Sequence, residues 1–315
     1  MIVVVIIVLV ILFIYWTAEI NRFNRLRQAD HQDVVTAQLS SFLKPKVSDE
    51  RVVVSLTTTP KRIYEMKPAI LSLIDQGVHV DEIAVNISKV SSKGEPYVIP
   101  DWLQELVDSP YASNYGHVRV YYADKDMGPA TKLLPTLMRE PPTTRIVVVD
   151  DDIVYHSHTV EHLVKRYEEL NTQFKKDTDK FAVTNFGVNV NKHGKVPLSN
   201  WGRITSFIKA ERQTDILQGF SGYVVTGALF PQEVFNMADG PKEAFFVDDV
   251  WFSGWLGHNG VKVRQLRTMW QLPLPNYGEM YALPSLSNTS PAAYEYDHAT
   301  IDWFVANTSW RPLAM

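Results

Sequence analysis

The sequence predicts an α/β protein built on a mostly parallel, doubly wound central sheet. Short β-branched runs alternate with segments of helical spacing over about 120 residues, the pattern of strand–helix–strand units. One run, Ile146–Val149, is apolar throughout, as in a strand buried on both faces. Three carboxylates, Asp150 to Asp152, follow it directly. Ligands bind beyond the carboxyl ends of strands in open α/β sheets, so this strand end is the first place to expect a site.

The N-terminal residues form an unbroken apolar run from Met1 to Trp16, which Thr17 and Ala18 extend. Eighteen helical residues span roughly 27 Å, close to a bilayer core of about 30 Å. We therefore predict a transmembrane anchor over residues 1–18. A cleaved signal peptide is the alternative, but no basic segment precedes the run and Trp16 stands where a small residue is expected.

For the side of the membrane, the prediction leans towards the cytosol, with the lumen as the alternative. Arg22, Arg25 and Arg27 follow the apolar run and favour a cytosolic catalytic part. Asparagine sequons at Asn86 and elsewhere favour the lumen of the ER or Golgi instead.

The remaining elements follow in chain order after a polar stem over residues 19–48. We predict strands at Val52–Leu56, Glu82–Ser88, Val118–Tyr122, Ile146–Val149, Phe181–Val190, Tyr223–Thr226 and Val261–Leu266. We predict helices at Ile63–Gln76, Thr131–Met138, His158–Leu170 and Val250–Leu256. Residues 271–315 show no clear periodicity. The predicted catalytic domain covers 49–275, with a proline- and aromatic-rich extension at 276–315 that packs on it.

Composition excludes several classes of function. The net charge of −4 gives no reason to expect nucleic acid as a partner. The chain has no cysteine, which excludes disulfides, thiolate metal sites and a cysteine nucleophile.

The acidic turn after the fourth predicted strand indicates a cation site. Adjacent carboxylates repel one another unless a cation lies among them. Hard oxygen ligands suit Mg²⁺ or Mn²⁺, which are usually held by one or two carboxylates together with substrate phosphates. We therefore predict a metal that holds a diphosphate beside Asp150, Asp151 and Asp152.

Four other motifs carry groups that suit the same chemistry. The loop Thr57-Thr58-Thr59-Pro60 ends the first strand and leads to Arg62, and Lys132 opens a helix after the third strand, so both cations can reach a phosphate. Asp248 and Asp249 lie between large apolar residues that can raise a carboxyl pKa, as a general base requires, although a helix cap would explain them too. Further candidates are Gly219, Phe220, Ser221 and Trp201 for contact with a sugar, and His298 or His258 as a further metal ligand.

In this order the motifs resemble glycosyltransferases of the GT-A fold over about residues 50 to 270. Asp150-Asp151-Asp152 resembles their D-x-D signature, and Asp248-Asp249-Val250-Trp251 is similar to the later acidic motif that holds the base of inverting members. The segment from Asp126 to Pro135 and the Thr-Thr-Thr-Pro loop resemble a subgroup from bacterial and large-DNA-virus surface-polysaccharide pathways.

The resemblance implies a role for each matching residue. Asp152 would bind Mn²⁺ or Mg²⁺ directly, with Asp150 on the ribose or the metal. The Thr57–Thr59 loop, Arg62, Lys132 and Asp151 would meet the nucleotide of a UDP- or GDP-sugar. Asp249 would deprotonate an acceptor hydroxyl with Asp248 beside it, and inversion is the expected outcome, although retention stays open. The acceptor glycan would meet Trp201, Gly219, Phe220, Ser221 and Trp251, and His298 is a candidate C-terminal metal ligand.

Two other functions remain open in the sequence. A nucleotidyltransferase also uses strand-end carboxylates and a divalent metal, but it usually carries a glycine-rich phosphate loop where this chain has Thr-Thr-Thr-Pro. A membrane-tethered, non-catalytic glycan-binding or scaffolding relative would keep the fold without turnover. Other glycan-assembly enzymes are plausible partners of an anchored transferase.

Overall fold

The computed structural model of the chain describes residues 2–29, 44–109, 117–173, 179–196, 210–267 and 291–315. Its strands are β1 (Val52–Thr57), β2 (Glu82–Ser88), β3 (Val118–Ala123), β4 (Arg145–Val148), β5 (Lys180–Thr184), β6 (Gly187–Val188), β7 (Arg212–Thr214), β8 (Ile216–Leu217), β9 (Tyr223–Val225) and β10 (Val261–Gln265). Its α-helices are α1 (Ile2–Gln28), α2 (Lys67–Ile74), α3 (Asp101–Asp108), α4 (Leu134–Arg139), α5 (Thr159–Gln173), α6 (Asp248–His258) and α7 (Pro291–Asn307).

Eight of these strands form one sheet in the order β3-β2-β1-β4-β9-β5-β10-β7. The first four are parallel to one another. Strand β9 is antiparallel to both of its neighbours, β4 and β5, so β5 runs in the same direction as β4. Strand β10 is parallel to β5, and β7 closes that edge in the antiparallel sense. The predicted α/β fold with a mostly parallel sheet is therefore confirmed.

The core lies where the apolar strands meet the apolar faces of the helices. Strand β2 is buried along its whole length, and in β1 every residue up to Leu56 is buried. Helix α5 buries Val160, Leu163, Val164 and Tyr167, the spacing of one helical face. Because the central strands are covered on both faces, their ends are the places where polar side chains reach a ligand.

The predicted strands of the first half of the chain agree with the structure to within one residue, but two predicted helices there are divided where proline intervenes. The predicted helix from Ile63 divides into a 3₁₀ turn at Arg62–Tyr64 and α2, with Pro68 in the first turn of α2. The predicted helix at Thr131–Met138 likewise divides into a 3₁₀ turn at Gly128–Lys132 and α4, because Pro135 begins a new helical turn.

The second half departs further from the sequence prediction. The strand predicted over Phe181–Val190 ends at Thr184, where the side-chain hydroxyl donates a hydrogen bond to the Phe186 carbonyl and turns the chain. Residues 291–307, for which no periodicity was evident, form helix α7.

The N-terminal helix α1 is packed on the domain by its C-terminal half. Phe23 and Leu26 are buried, and Glu19 and Arg22 lie at the contact with the domain. Within the described part of the chain, no helix combines the length and apolarity that crossing a bilayer requires. The anchor predicted over residues 1–18 is therefore not supported. Helix α1 also runs through the start of the segment predicted as a stem, and residues 30–43 of that segment lie outside the described ranges.

Candidate active site

The candidate site lies where the order of the parallel strands reverses. From β1 the chain proceeds to β2 and β3 on one side and then returns to β4 on the other. The loops that leave β1 and β4 therefore diverge and open a crevice at their carboxyl ends, the usual ligand position in sheets of this kind. Thr58 and Arg62 follow β1 there, and Asp150 follows β4.

Lys132 joins the two acidic motifs of the sequence. Its Nζ lies 2.7 Å from Asp150 Oδ1, 3.0 Å from Asp248 Oδ2 and 3.8 Å from Asp249 Oδ1. The lysine side chain is only 4% exposed. The three carboxylates come from two segments almost a hundred residues apart, so the ammonium holds together the strand-end turn and the start of helix α6.

A buried polar network fixes the backbone that carries Lys132. The Ser55 hydroxyl, in β1, donates to the Lys132 carbonyl at 2.5 Å and lies 2.7 Å from Thr136 Oγ1. Asn86, in β2, donates to both of those hydroxyls at 3.0 Å. Gly128 permits the turn before Lys132 with φ of +62°, and its N–H donates to Asp126 Oδ1.

The electrostatics of this cluster keep the lysine charged. Burial alone would lower the pKa of Lys132, but the carboxylates of Asp150, Asp248 and Asp249 raise that pKa well above its usual value. For Asp248, burial raises the pKa of the carboxyl, while the ammonium of Lys132 opposes the shift. Losing the lysine would leave buried carboxylates without a counter-ion, which is costly in a protein interior.

Asp249 is the more accessible carboxylate of the pair that begins α6. Its side chain is 22% exposed, compared with 8% for Asp248. The Gly219 N–H donates to both of its carboxylate oxygens at 3.1 Å, which fixes its orientation. Burial raises the pKa of Asp249 well above its usual value, and Lys132 only partly offsets that effect. A solvent-accessible carboxylate of raised pKa suits a general base.

Arg62 holds the other two residues of the acidic turn. Its Nη2 lies 2.5 Å from Asp151 Oδ1 and 2.8 Å from Asp152 Oδ2. Burial and the nearby charge of Asp150 raise the pKa of Asp152 to about 7, against the opposing effect of Arg62. Burial also raises the pKa of Asp151, whose Oδ2 is buried without a hydrogen-bond partner among the described residues. One guanidinium thus leaves negative charge in the turn incompletely neutralised.

These donors suit a divalent cation that is shared with a ligand. Among the described residues, no group of three or more acidic or histidine side chains is arranged around one metal position. The predicted ligand set of Asp150, Asp152 and His298 is therefore not found as a cluster. His298 lies on α7, and its Nε2 is buried without a hydrogen-bond partner there. Two carboxylates are enough for Mg²⁺ or Mn²⁺ when diphosphate oxygens and water complete the coordination.

The predicted acceptor residues divide into a turn beside the base and a core residue. Gly219, Phe220 and Ser221 form a 3₁₀ turn, and a Cβ on Gly219 would lie 2.5 Å from Lys132 Nζ. The Phe220 ring is partly exposed and packs 5.3 Å from the ring of Phe186. The prediction for Trp251 is wrong, because its side chain is fully buried and its Nε1 donates to the Val234 carbonyl at 2.9 Å. Trp201 lies outside the described residues.

The three threonines at the end of β1 contribute more to the fold than to ligand binding. The Thr57 hydroxyl donates to the Asn86 carbonyl at 2.7 Å, and the Thr59 hydroxyl accepts from the Arg62 N–H at 3.3 Å. Thr58 is buried, and its hydroxyl has no hydrogen-bond partner among the described residues. Of this loop, Arg62 is the residue whose side chain contacts the acidic turn.

Sequence reasoning missed three residues near the site. The Tyr155 hydroxyl accepts a hydrogen bond from the Asp150 N–H at 2.8 Å. The Tyr97 hydroxyl donates to the Thr58 carbonyl at 2.9 Å. Asp297 on α7 has a pKa raised to about 7 by burial and by the charge of Asp248. Only Tyr155 carried a signal in the sequence, as an aromatic residue three positions after the acidic turn.

Comparison with known proteins gives distant similarities of fold. No family model and no curated protein matches the sequence. Among solved structures, the mannosyltransferase PcManGT from Pyrobaculum calidifontis, in complex with GDP-Man and Mn²⁺, is 14% identical, with 92% of this chain and 84% of that chain covered and a TM-score of 0.40. S. aureus TarS 1–349 is 16% identical, with 83% and 67% covered and a TM-score of 0.41. GalNAc-T7 with UDP, GalNAc and Mn²⁺ is 10% identical, with 78% and 47% covered and a TM-score of 0.43.

Proposed function

We propose that this protein is a metal-dependent glycosyltransferase that moves a sugar from a nucleoside-diphosphate sugar to a hydroxyl of a glycan acceptor. The observation that carries the proposal is the ion cluster around Lys132. It places Asp150, at the carboxyl end of a central strand, beside Asp249, an accessible carboxylate that a backbone N–H holds in position. One crevice thus contains a phosphate-binding side and a proton-accepting side.

The charge balance of the crevice explains why a divalent cation is needed. Five carboxylates, those of Asp150, Asp151, Asp152, Asp248 and Asp249, face the two cationic side chains of Lys132 and Arg62. A diphosphate would add further negative charge to a site that is already anionic. Asp150 and Asp152 would hold Mn²⁺ or Mg²⁺, which when bound neutralises the diphosphate and makes it a better leaving group.

Arg62 and Lys132 are the donor-side cations that the protein itself supplies. Both bind carboxylates of the acidic turn, and both can shift to diphosphate oxygens when the charge of those carboxylates is taken up by a cation. UDP- and GDP-sugars are the donors to test first, since either offers the diphosphate that this arrangement fits.

Asp249 is the proposed general base. The acceptor hydroxyl gives its proton to the Asp249 carboxylate as its oxygen bonds to the anomeric carbon of the donor sugar. The bond from that carbon to the diphosphate oxygen breaks, and the nucleoside diphosphate leaves with the electron pair. We expect inversion at the carbon, the outcome of a single displacement in which the base activates the acceptor directly. The partly exposed ring of Phe220, next to the base, supplies a surface for an acceptor sugar.

The test is release of nucleoside diphosphate from a panel of UDP- and GDP-sugars, with and without Mn²⁺ and with oligosaccharide acceptors. Turnover of one donor that requires metal, and that falls by about 10³-fold or more in Asp249→Asn, would support the proposal. Asp124→Asn, which neutralises an exposed carboxylate at the end of β3, is the matched control and should turn over normally.

Three results would separate this proposal from its alternatives. Release of pyrophosphate from a nucleoside triphosphate and a sugar phosphate would identify a nucleotidyltransferase. Glycan binding without any turnover would favour a non-catalytic relative. Equal activity of wild type and Asp249→Asn would remove Asp249 from the proposed mechanism.

A further inference from the structure

We propose that Tyr155 is a positioning residue for the acidic turn, and that helix α1 holds it in place through Arg22. The inference deepens the proposed function and rests on it for its catalytic meaning, because the turn is the proposed metal and diphosphate site. The contacts themselves involve neither metal nor nucleotide, so they can be tested separately.

The first step is the link between Tyr155 and the turn. Asp150 is the second residue past the end of β4, and the ladder with β1 does not supply a partner for its N–H. The Tyr155 hydroxyl accepts a hydrogen bond from that N–H at 2.8 Å. The same hydroxyl lies 3.5 Å from the Gly219 carbonyl, in the turn whose N–H orients Asp249. One buried phenol therefore touches both the donor side and the acceptor side of the crevice.

The second step is the link between Tyr155 and helix α1. The Arg22 guanidinium donates to the Tyr155 carbonyl at 2.9 Å and to Asp75 Oδ2 at 2.8 Å. The Arg22 side chain is 10% exposed, so these bonds are largely shielded from water. Ser72, in α2, accepts the Tyr155 N–H at 2.9 Å. The backbone on both sides of the phenol is therefore fixed by neighbouring helices.

The third step is that α1 holds the next two residues as well. The Tyr15 hydroxyl is hydrogen-bonded to His156 Nε2, and Glu19 Oε1 lies 3.5 Å from that nitrogen. The Ser157 hydroxyl donates to the same Glu19 oxygen at 3.2 Å. Residues on three successive turns of α1 thus form hydrogen bonds with Tyr155, His156 and Ser157, which follow the acidic turn.

The experiment uses the full chain and three variants. Tyr155→Phe removes the hydroxyl and keeps the ring, and Arg22→Met removes the guanidinium and keeps the length of the side chain. Arg27→Met is the matched control, since Arg27 is an exposed arginine of the same helix that does not contact the loop among the described contacts.

Hydrogen exchange of the metal-free protein tests the positioning role directly. We expect the Asp150 N–H to exchange roughly fivefold faster in Tyr155→Phe and in Arg22→Met, the factor expected for one lost hydrogen bond, with wild-type exchange in Arg27→Met. Unchanged exchange in both test variants, or the same increase across the whole sheet, would overturn the proposal in favour of a general packing role.

Mn²⁺ affinity in the presence of UDP or GDP tests whether this positioning of the acidic turn strengthens metal binding. Partners behind a metal ligand typically contribute about 10- to 100-fold in affinity, so Tyr155→Phe and Arg22→Met should bind Mn²⁺ more weakly by such a factor. Faster exchange with unchanged Mn²⁺ affinity would refute the link to the site. If wild type itself binds neither Mn²⁺ nor nucleotide, the proposed function fails, and the exchange result still decides whether α1 positions the turn.

Discussion

Lys132 is the residue on which the charge balance of the site depends. Three carboxylates from two segments share its ammonium, and the lysine is almost wholly buried. Its burial arises from tertiary placement at the end of a 3₁₀ turn, which is why the sequence around the lysine gives no hint of this arrangement.

Lys132→Met should therefore lower the free energy of unfolding by about 3–5 kcal/mol, because it leaves buried carboxylates unpaired. Urea unfolding at neutral pH is the measurement. The double variant Lys132→Met/Asp248→Asn removes one of the stranded charges and should recover part of the loss. If the single variant is as stable as wild type, the ion cluster is not a structural element.

Gly219 is the residue whose lack of a side chain keeps the cluster intact. A Cβ there would lie 2.5 Å from Lys132 Nζ and 3.0 Å from Asp150 Oδ1. The lysine end can move aside, so Gly219→Ala should cost only about 1–2 kcal/mol of stability. Turnover should fall by about 10²-fold, since groups displaced by 1 Å no longer align.

Turnover and thermal unfolding of Gly219→Ala, measured together, check this expectation. Gly77→Ala is the matched control, because a Cβ there meets its nearest neighbours at 3.4 Å, an ordinary contact. A proportional loss of activity and stability in both variants would contradict a specific role of Gly219.

At the scale of elements, the packing of α6 against α7 depends on the close contact between Gly254 and the ring of Phe304. A Cβ on Gly254 would lie 2.5–2.6 Å from three ring carbons of Phe304, and that ring is fully buried and cannot move aside. Gly254→Ala should lower the free energy of unfolding by about 1–3 kcal/mol, although alanine is the better helix former. Denaturant unfolding is the measurement, and the smaller Phe304→Leu in the same chain should restore part of the stability. Additive losses in the double variant would disprove the contact.

The elements that sequence reasoning predicted well are those with local signals. Strands β1 to β4 are β-branched runs bounded by turns, and their ends placed Asp150 and Thr58 at one edge of the sheet. Helix α7 was not predicted, because its apolar residues do not mark one face: the adjacent Trp303 and Phe304 both pack against aromatic rings of α6, and the polar Thr300 is buried.

The sequence indicated charged residues that the fold brings together, but only part of how they are arranged. The sequence indicated both acidic motifs and both cations, because charged groups at strand ends are a local signal. It could not indicate that Lys132 would pair with carboxylates from both motifs, nor that Trp251 would be core. Those facts depend on how distant segments pack, as does the contact of Arg22 with Tyr155.

For the whole molecule, buried histidines make stability depend on pH. Burial lowers the pKa of His117 to about 4 and that of His156 to about 3. In the unfolded chain a histidine has a pKa of about 6.5, so below that pH the unfolded state binds more protons than the native state. This contribution to stability is fully present above pH about 6.5 and is lost as the pH falls towards 4.

We expect each of these histidines to cost on the order of 2–3 kcal/mol of stability by pH 4.5. Carboxyls of raised pKa, such as Asp297, act in the opposite direction, so the test is the difference between wild type and His156→Gln. Urea unfolding from pH 7.5 to 4.5 should show a shallower loss in the variant. Parallel pH profiles would mean that His156 is protonated in the native state without cost.

The position of strand β9 in the sheet affects how the chain folds while it is being synthesised. It pairs with β4 on one side and β5 on the other, yet it is translated after both. Until Tyr223–Val225 leaves the ribosome, the apolar strand β4 has an open edge, and open apolar edges recruit other chains. Nascent chains that end before β9 should therefore sediment as aggregates or need a chaperone, whereas chains that include β9 and β10 should stay in the supernatant. Insertion of β9 between β4 and β5 thus sets the point in synthesis at which the apolar edge of β4 is closed.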